Sequence, residues 1–196
     1  NFHYLCHIIQ QFKIDIMINN KQLGLIGETA VMLELQKRGF DVININISYS
    51  NYPKADLICI NAENGKSIMI QVKTGTTNNI LTGFVSELDG TIPYIRENII
   101  GPWVFVKTDK DVSKFEFYIL TRDEILDLII SSNNWYVCGW NRVLKSKPII
   151  GINVSWLEGE GEKASEPLAK KQHGEYKNPL RETSKNKWDK IEDLLR

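Results

Sequence analysis

Two apolar runs joined by a short polar turn constrain the fold of this chain more than any other feature of its sequence. Residues 55–62 read ADLICINA, residues 66–74 read KSIMIQVKT, and an Asn64-Gly65 pair lies between them. Asn-Gly pairs favour tight turns between antiparallel strands, so the sequence predicts a β-hairpin. The rest of the domain must then cover the apolar faces of this hairpin.

Polar side chains interrupt the hairpin at one end. Asp56 begins its first strand, whereas Gln71 and Lys73 end its second. Successive side chains of a strand point to opposite faces, so Gln71 and Lys73 share one face. Because the start of one hairpin strand lies beside the end of the other, we expect Asp56 to neighbour both residues across the ladder.

A helix is predicted before the hairpin. Apolar residues recur at steps of three and four over residues 21–38, and Gly39 follows Lys37 and Arg38. Basic residues suit the C-terminus of a helix and glycine suits the next position, so we predict a helix over this range, with Glu28 on it. Polar and apolar residues alternate over residues 40–48, which predicts a strand.

The later part of the chain predicts further strands and a second helix. Residues 102–120 contain two aromatic and β-branched runs, which are typical of strands. Thr121 and Glu124 then form a capping-box pattern, which predicts a helix. Residues 76–101 are rich in Thr, Asn and Gly and predict a loop with a short helix, and residues 147–157 predict a late strand.

Length and composition favour one main domain. The chain has 196 residues, of which 42% are hydrophobic, and this is enough for one sizeable core. We predict a helical N-terminal extension over residues 1–20, a core domain over residues 21–157, and a charged arm over residues 158–196 with a short terminal helix. The arm is expected to bury little apolar area, because its composition cannot offset the entropy of ordering.

Charge and cysteine content exclude several classes of protein. The 24 basic and 24 acidic residues balance, so nucleic-acid binding would require a local patch, with metal ions supplying positive charge. Three widely spaced cysteines fit neither a disulfide framework nor a cysteine-rich zinc site. No apolar run approaches the roughly 20 residues that cross a bilayer. We therefore expect a cytoplasmic protein that does not enter a membrane.

The polar residues of the hairpin could hold a cation. The carboxylate of Asp56, the amide oxygen of Gln71 and the backbone carbonyl of Val72 would form an oxygen-rich half-shell. Such a shell suits Mg²⁺, which keeps several of its waters. Lys73 beside the ion could hold or deprotonate a water, or neutralise charge on a phosphorus centre. Phosphodiester hydrolysis requires this division of labour.

Each of these residues also has an ordinary explanation. Glu28 could be a solvated helix residue, and Asp56 could cap a turn. Gln71 could bond to a neighbouring loop, and Lys73 could extend from the strand end into water. Their order along the chain and their consistent strand parity favour a shared site.

The order of these elements resembles the PD-(D/E)XK nuclease superfamily, which has the restriction-endonuclease-like fold. The stretches that carry the resemblance are GLIGETAVMLELQKRGF, NYPKADLICI and SIMIQVKTG, within residues 24–75. In that superfamily a helix carries a glutamate, an aspartate opens a strand, and an acid-x-lysine pair ends the next strand. The pattern is most similar to Holliday-junction resolvases and Mrr-type restriction enzymes. The resemblance implies an α/β fold with a central mixed β-sheet flanked by helices.

The resemblance also implies roles for individual residues. Glu28 would be the helix acid, Asp56 the metal-binding aspartate, Gln71 the second ligand position and Lys73 the catalytic lysine. Two departures from the pattern are present. Pro53 precedes the aspartate by three positions instead of one, and Gln71 replaces the usual acid. A neutral amide binds a divalent cation less strongly than a carboxylate does, and Glu28 could supply the missing charge.

The function implied by the resemblance is an Mg²⁺-dependent endonuclease that hydrolyses phosphodiester bonds in double-stranded or branched DNA. Mn²⁺ would substitute for Mg²⁺, and a homodimer would provide two sites to cut both strands. Two alternatives stay open, the first because of Gln71 and the second because the site chemistry does not identify the substrate. The chain could be an inactive relative that serves as a nucleic-acid-binding or protein-binding module, or it could be an RNA-directed nuclease or toxin effector.

Overall fold

A computed structural model describes residues 18–48, 52–138, 146–159 and 175–196 of the chain. Its strands are β1 (Asp41–Asn44), β2 (Leu57–Ile60), β3 (Ser67–Gly75), β4 (Asn79–Val85), β5 (Trp103–Thr108), β6 (Phe115–Leu120) and β7 (Ile149–Asn153). Five of them form a central sheet in the order β1-β2-β3-β5-β6, and β4 pairs with β7 in a second sheet. The β3–β5 pair is parallel, whereas the other neighbours are antiparallel.

Helices flank the central sheet. They are α1 (Asn20–Lys37), α2 (Ile45–Ser48), α3 (Ile95–Asn98), α4 (Arg122–Asn133), α5 (Val154–Leu157) and α6 (Asp189–Leu195), and a π-helical turn follows α4 at Asn134–Cys138. One core cluster joins α1 and α6 to the central sheet, and the other joins α4 and β7 to its opposite face. The predicted class, a central mixed sheet flanked by helices, is confirmed. No helix in the described ranges is long and apolar enough to cross a membrane.

Both predicted long helices are confirmed, and capping explains where they begin. The Asn19 side chain accepts a hydrogen bond from the backbone of Gln22 at 2.9 Å, and the Gln22 side chain accepts one from the backbone of Asn19 at 3.0 Å. Thr121 and Glu124 make the same reciprocal pair at the start of α4. Each pair satisfies two backbone N–H groups that a helix leaves unpaired.

The predicted hairpin is confirmed. β2 and β3 pair antiparallel with Leu57 opposite Ile70. The turn is closed by a backbone bond from Asn61 N to Lys66 O at 2.9 Å, and Gly65 takes the positive φ of 73° that the turn requires. Gln71 and Lys73 share one face of β3, as the sequence predicts. They pair with Trp103 and Phe105, which are likewise two residues apart on the parallel neighbour β5.

Two local predictions were wrong. The strand predicted over residues 40–48 ends at Asn44, because the Asn44 side chain accepts a bond from the backbone of Asn46 at 2.9 Å and turns the chain into α2. The predicted loop over residues 76–101 contains β4 as well as the short helix α3. β4 gains its stability from pairing with the distant β7, and this pairing leaves little signal in the local sequence.

The C-terminal segment differs from the predicted charged arm. Within residues 175–196, Tyr176 stacks on Trp156 with ring centroids 3.9 Å apart, and Trp188 contacts Phe117 at 5.4 Å. Both C-terminal rings are buried. The expectation of little apolar burial is therefore wrong for this part, whereas the terminal helix is found as α6. The boundaries drawn at residues 20 and 157 stay a prediction, and residues 1–17 and 160–174 lie outside the described ranges.

Candidate active site

Asp56 lies one residue before β2 begins, between the neighbouring strands β1 and β3 of the central sheet. Its backbone is held on both sides, because its N–H donates to Ile70 O and its carbonyl accepts from Ile45 N, both at 2.9 Å. The side chain is 7% exposed. Asp56 is thus fixed between the end of β1 and the middle of β3, just beyond the last residue pair of the β2–β3 ladder.

The Asp56 carboxylate is held by groups from two directions. Oδ1 accepts a bond from Asn46 Nδ2 at 2.9 Å. Oδ2 accepts a bond from the backbone N–H of Val72 at 2.7 Å and another from Gln71 Nε2. A strand residue directs its N–H and its carbonyl to the same side, so the Val72 carbonyl also faces the side on which Asp56 lies.

Glu28 reaches the same site from α1 through two asparagines. Its Oε2 accepts a bond from Asn44 Nδ2 at 2.8 Å, and its Oε1 accepts one from Asn46 Nδ2 at 3.1 Å. Burial raises the pKa of Glu28 above its ordinary value, and the nearby charge of Asp56 adds to this, whereas the asparagine bonds oppose it. Asn46 therefore bridges Glu28 and Asp56 through one nitrogen atom.

Lys73 lies beside these carboxylates on the face of β3 that Gln71 shares. Its Nζ is 5.5 Å from the centre of the Trp103 ring, within the range of a cation–π contact. Burial lowers the pKa of Lys73 from its ordinary value, while the charges of Asp56 and Glu28 oppose that change. A lysine with a lowered pKa gives up a proton more readily than a solvated one and can serve as a base.

These side chains line one cleft of about 1000 Å³. Its polar wall holds the four residues proposed from the sequence together with Asn46, and its other lining includes the half-exposed Leu25 and the exposed Ile47. A second cleft of about 440 Å³ shares Gln71 and Lys73 with the first and is lined by Phe84 and Trp103. Lys73 therefore lies between a carboxylate-lined cleft and an aromatic one.

The donor set fits a hard divalent cation. Glu28 and Asp56 supply carboxylate oxygens within hydrogen-bond distance of one nitrogen, and the Val72 carbonyl faces the same side. No group of three His, Cys, Asp or Glu side chains suited to a metal occurs in the described ranges. Two carboxylates and a carbonyl suit Mg²⁺, because that ion keeps several waters in place of protein ligands. Gln71 would add its oxygen only after turning its amide.

The structure brings together all four residues proposed from the sequence: Glu28, Asp56, Gln71 and Lys73. Sequence reasoning missed Asn44 and Asn46, which hold Glu28 in place. The available signal was the repeat of asparagine at alternate positions in the strand predicted over residues 40–48.

Comparisons with known proteins add little to this description. No protein-family model matches the sequence, and the search of curated proteins found no match. One similar solved structure is that of the bacterial homing endonuclease I-Ssp6803I. It is 19% identical with a TM-score of 0.36, and the match covers 56% of this chain and 70% of that one. A likeness of this size does not establish a shared activity, so the site is interpreted from its own residues.

Proposed function

We propose that this protein is an Mg²⁺-dependent endonuclease that hydrolyses phosphodiester bonds in DNA. The observation that carries the proposal is the Asp56 carboxylate, which lies between Glu28 with its asparagines and the Gln71–Lys73 end of β3. A half-buried lysine of lowered pKa beside the buried Asp56 and the half-buried Glu28 is a costly arrangement that a purely structural site does not need. The resemblance of residues 24–75 to the PD-(D/E)XK superfamily supports the same chemistry.

Each residue has a defined task in this proposal. Asp56, Glu28 and the Val72 carbonyl would hold the ion, which would polarise a phosphoryl oxygen and stabilise the leaving alkoxide. Lys73 holds the attacking water and accepts its proton, a role that its lowered pKa favours. Trp103 fixes the position of Lys73 by lying beneath its ammonium group. Gln71 orients Asp56 through its amide.

The proposed substrate is double-stranded or branched DNA, and the proposed assembly is a homodimer. Each protomer carries one set of these residues, so a homodimer would provide two sites to cut both strands at once. The net charge of zero gives the whole molecule no attraction for phosphate. In this proposal, binding comes from the cleft and the ion that it would hold, and it should weaken sharply when divalent cations are removed.

The experiment is cleavage of supercoiled plasmid with Mg²⁺ or Mn²⁺, with chelator as the blank. We expect nicking and linearisation by the wild type, and a loss of about 100-fold or more in Asp56→Ala and Lys73→Ala. Asp111→Ala and Lys110→Ala are matched controls, since both residues are exposed in the turn between β5 and β6. Activity that survives in the first two variants, or no DNA cleavage at all, would contradict the proposal.

A second candidate is an inactive module that binds nucleic acid or protein. Gln71 favours it, because its nitrogen points at Asp56 and adds no charge to the site. Titration with Mn²⁺ separates the candidates. Retained DNA binding without any ion bound at millimolar concentration would support the module. Cleavage of RNA but not of DNA of equal length would instead identify the RNA-directed nuclease.

A further inference from the structure

The side chain of Asn46 uses only one of its two polar atoms. Asn46 Oδ1 is buried and has no hydrogen-bond partner within the described part of the chain. Its Nδ2, in contrast, donates to Glu28 at 3.1 Å and to Asp56 at 2.9 Å. Buried polar atoms are nearly always paired, and an exception commonly marks the place of a water or an ion.

The neighbouring Asn44 shows what a purely structural amide looks like. Its Nδ2 donates to Glu28 at 2.8 Å, and its Oδ1 accepts from the backbone of Asn46 at 2.9 Å. Both of its polar atoms are therefore used within the protein. Asn46 differs in two ways, because only its nitrogen is used and because it lines the cleft, whereas Asn44 does not.

The nitrogen of Asn46 contacts the carboxylate oxygens that a divalent cation would need. A cation shared by Glu28 and Asp56 would compete with Nδ2 for these oxygens. A half-turn about the terminal torsion of asparagine exchanges nitrogen and oxygen at little torsional cost, and bonds from the carboxylates to a cation would replace the two hydrogen bonds that Nδ2 gives up. Asn46 can therefore present a hydrogen-bond donor to the carboxylates without an ion and an oxygen to the ion when one is bound.

The position of Gln71 makes such an oxygen useful. Asn46 and Gln71 flank Asp56, with one amide at Oδ1 and the other at Oδ2. Neither amide carries charge, so the site has one carboxylate fewer than the acid-x-lysine pattern implies. An additional neutral oxygen from the Asn46 side would offset part of the affinity that is lost at position 71.

We propose that Asn46 is a ligand residue of the same cation site. Its Oδ1 supplies an oxygen to the ion or to a water of its shell, and its Nδ2 holds Glu28 and Asp56 together when no ion is bound. This inference rests on the proposed function, since it requires that the wild type binds a divalent cation in this cleft.

The test measures Mn²⁺ binding by calorimetry and the shift of melting temperature with Mn²⁺, in the full chain. Asn46→Ala removes both amide atoms, and we expect it to weaken binding about tenfold or more. Asn46→Asp keeps an oxygen and adds a charge, so binding should be as tight as in the wild type or tighter. Without the ion this variant gathers three carboxylates, so Mn²⁺ should raise its melting temperature more than that of the wild type.

Asn78→Asp is the matched control, because it adds the same charge at an exposed asparagine outside the cleft lining. It should bind Mn²⁺ as the wild type does. Equal binding by Asn46→Ala and the wild type, or binding by Asn46→Asp as weak as by Asn46→Ala, would overturn the inference alone. No Mn²⁺ binding by the wild type would overturn the proposed function as well. If Asn46→Ala fails to fold, the melting shift of Asn46→Asp still decides.

Discussion

Gln71 Nε2 donates a hydrogen bond to Asp56 Oδ2, and both side chains are more than nine-tenths buried. A carboxylate at position 71 would instead face Asp56 with like charge. The glutamine therefore stabilises the ion-free site and lowers the charge available to a cation. If the site binds a cation as proposed, this contact links the stability of the fold to the metal affinity.

We predict opposite effects of Gln71→Glu with and without a cation. Without it, the added carboxylate repels Asp56 and the melting temperature should fall; with Mg²⁺ or Mn²⁺, binding should be about tenfold tighter than in the wild type. Calorimetry and thermal melts measure both effects. Gln36→Glu, at an exposed position of α1, controls for the added charge. Unchanged ion affinity in Gln71→Glu would argue against a cation at this position.

The charge of Lys73 should cost stability at neutral pH. Burial lowers its folded pKa below the ordinary 10.5 of the unfolded chain, so the unfolded state binds more protons between these two values. Stability therefore rises with pH across this window and is lost as pH falls through the folded pKa. Lys73→Met removes the charge and should raise the melting temperature at pH 7 without an ion. This advantage should shrink as pH approaches 10.5.

Lys110→Met provides the reference for that series, because Lys110 is exposed. The two variants share any change in the titration of other groups, so their difference isolates Lys73. An advantage of Lys73→Met that stays constant from pH 7 to pH 10.5 would mean that the proton on Lys73 does not set the cost.

The close approach of α1 to β3 should make Gly27 hard to replace. A Cβ at Gly27 would lie 1.8 Å from Thr74 Oγ1, so the helix carrying Glu28 would have to move. We expect Gly27→Ala to cost about 1–3 kcal/mol of unfolding free energy and to reduce cleavage. Gly24→Ala, in the same helix with open space around its Cβ, should stabilise by up to about 1 kcal/mol. Urea unfolding measures both, and equal effects would contradict the packing described.

The C-terminal segment should be required for a stable fold. Trp188 is 3% exposed and contacts Phe117, and Arg38 lies 4.7 Å above its ring. Trp188→Ala should cost about 3–5 kcal/mol. Leu194→Ala, on the same segment but 50% exposed, should cost under about 1 kcal/mol. A Trp188→Ala protein as stable as the wild type would show that the segment does not belong to the core.

The sequence predicted the parts of the fold that local patterns determine. The hairpin follows from Asn64-Gly65 between two apolar runs. The first long helix follows from its apolar spacing and from the basic residues and glycine at its end, and the second follows from its capping box. Gln71 and Lys73 could be placed on one face because strand side chains alternate. Asp56 could be placed beside them because the two strands of a hairpin run antiparallel. Glu28 was placed through the resemblance and not from its spacing.

Long-range contacts explain what the sequence did not predict. β4 is a strand because β7 pairs with it, although about 65 residues separate them along the chain. The segment over residues 175–196 is charged, yet Tyr176 and Trp188 supply enough apolar area to hold it. Asn46 was missed because its place in the site depends on where the chain leaves β1 and enters α2. The Asn44 side chain fixes that point.

The most direct test of the central claim is a crystal structure grown with saturating Mn²⁺ and measured for anomalous scattering. We predict an Mn²⁺ peak between Glu28 and Asp56, with the Val72 carbonyl facing it and oxygen ligands about 2.0–2.3 Å away. A cleft without anomalous density at saturating Mn²⁺, or a Mn²⁺ ion held only by residues elsewhere, would contradict the assignment of these residues to one cation site.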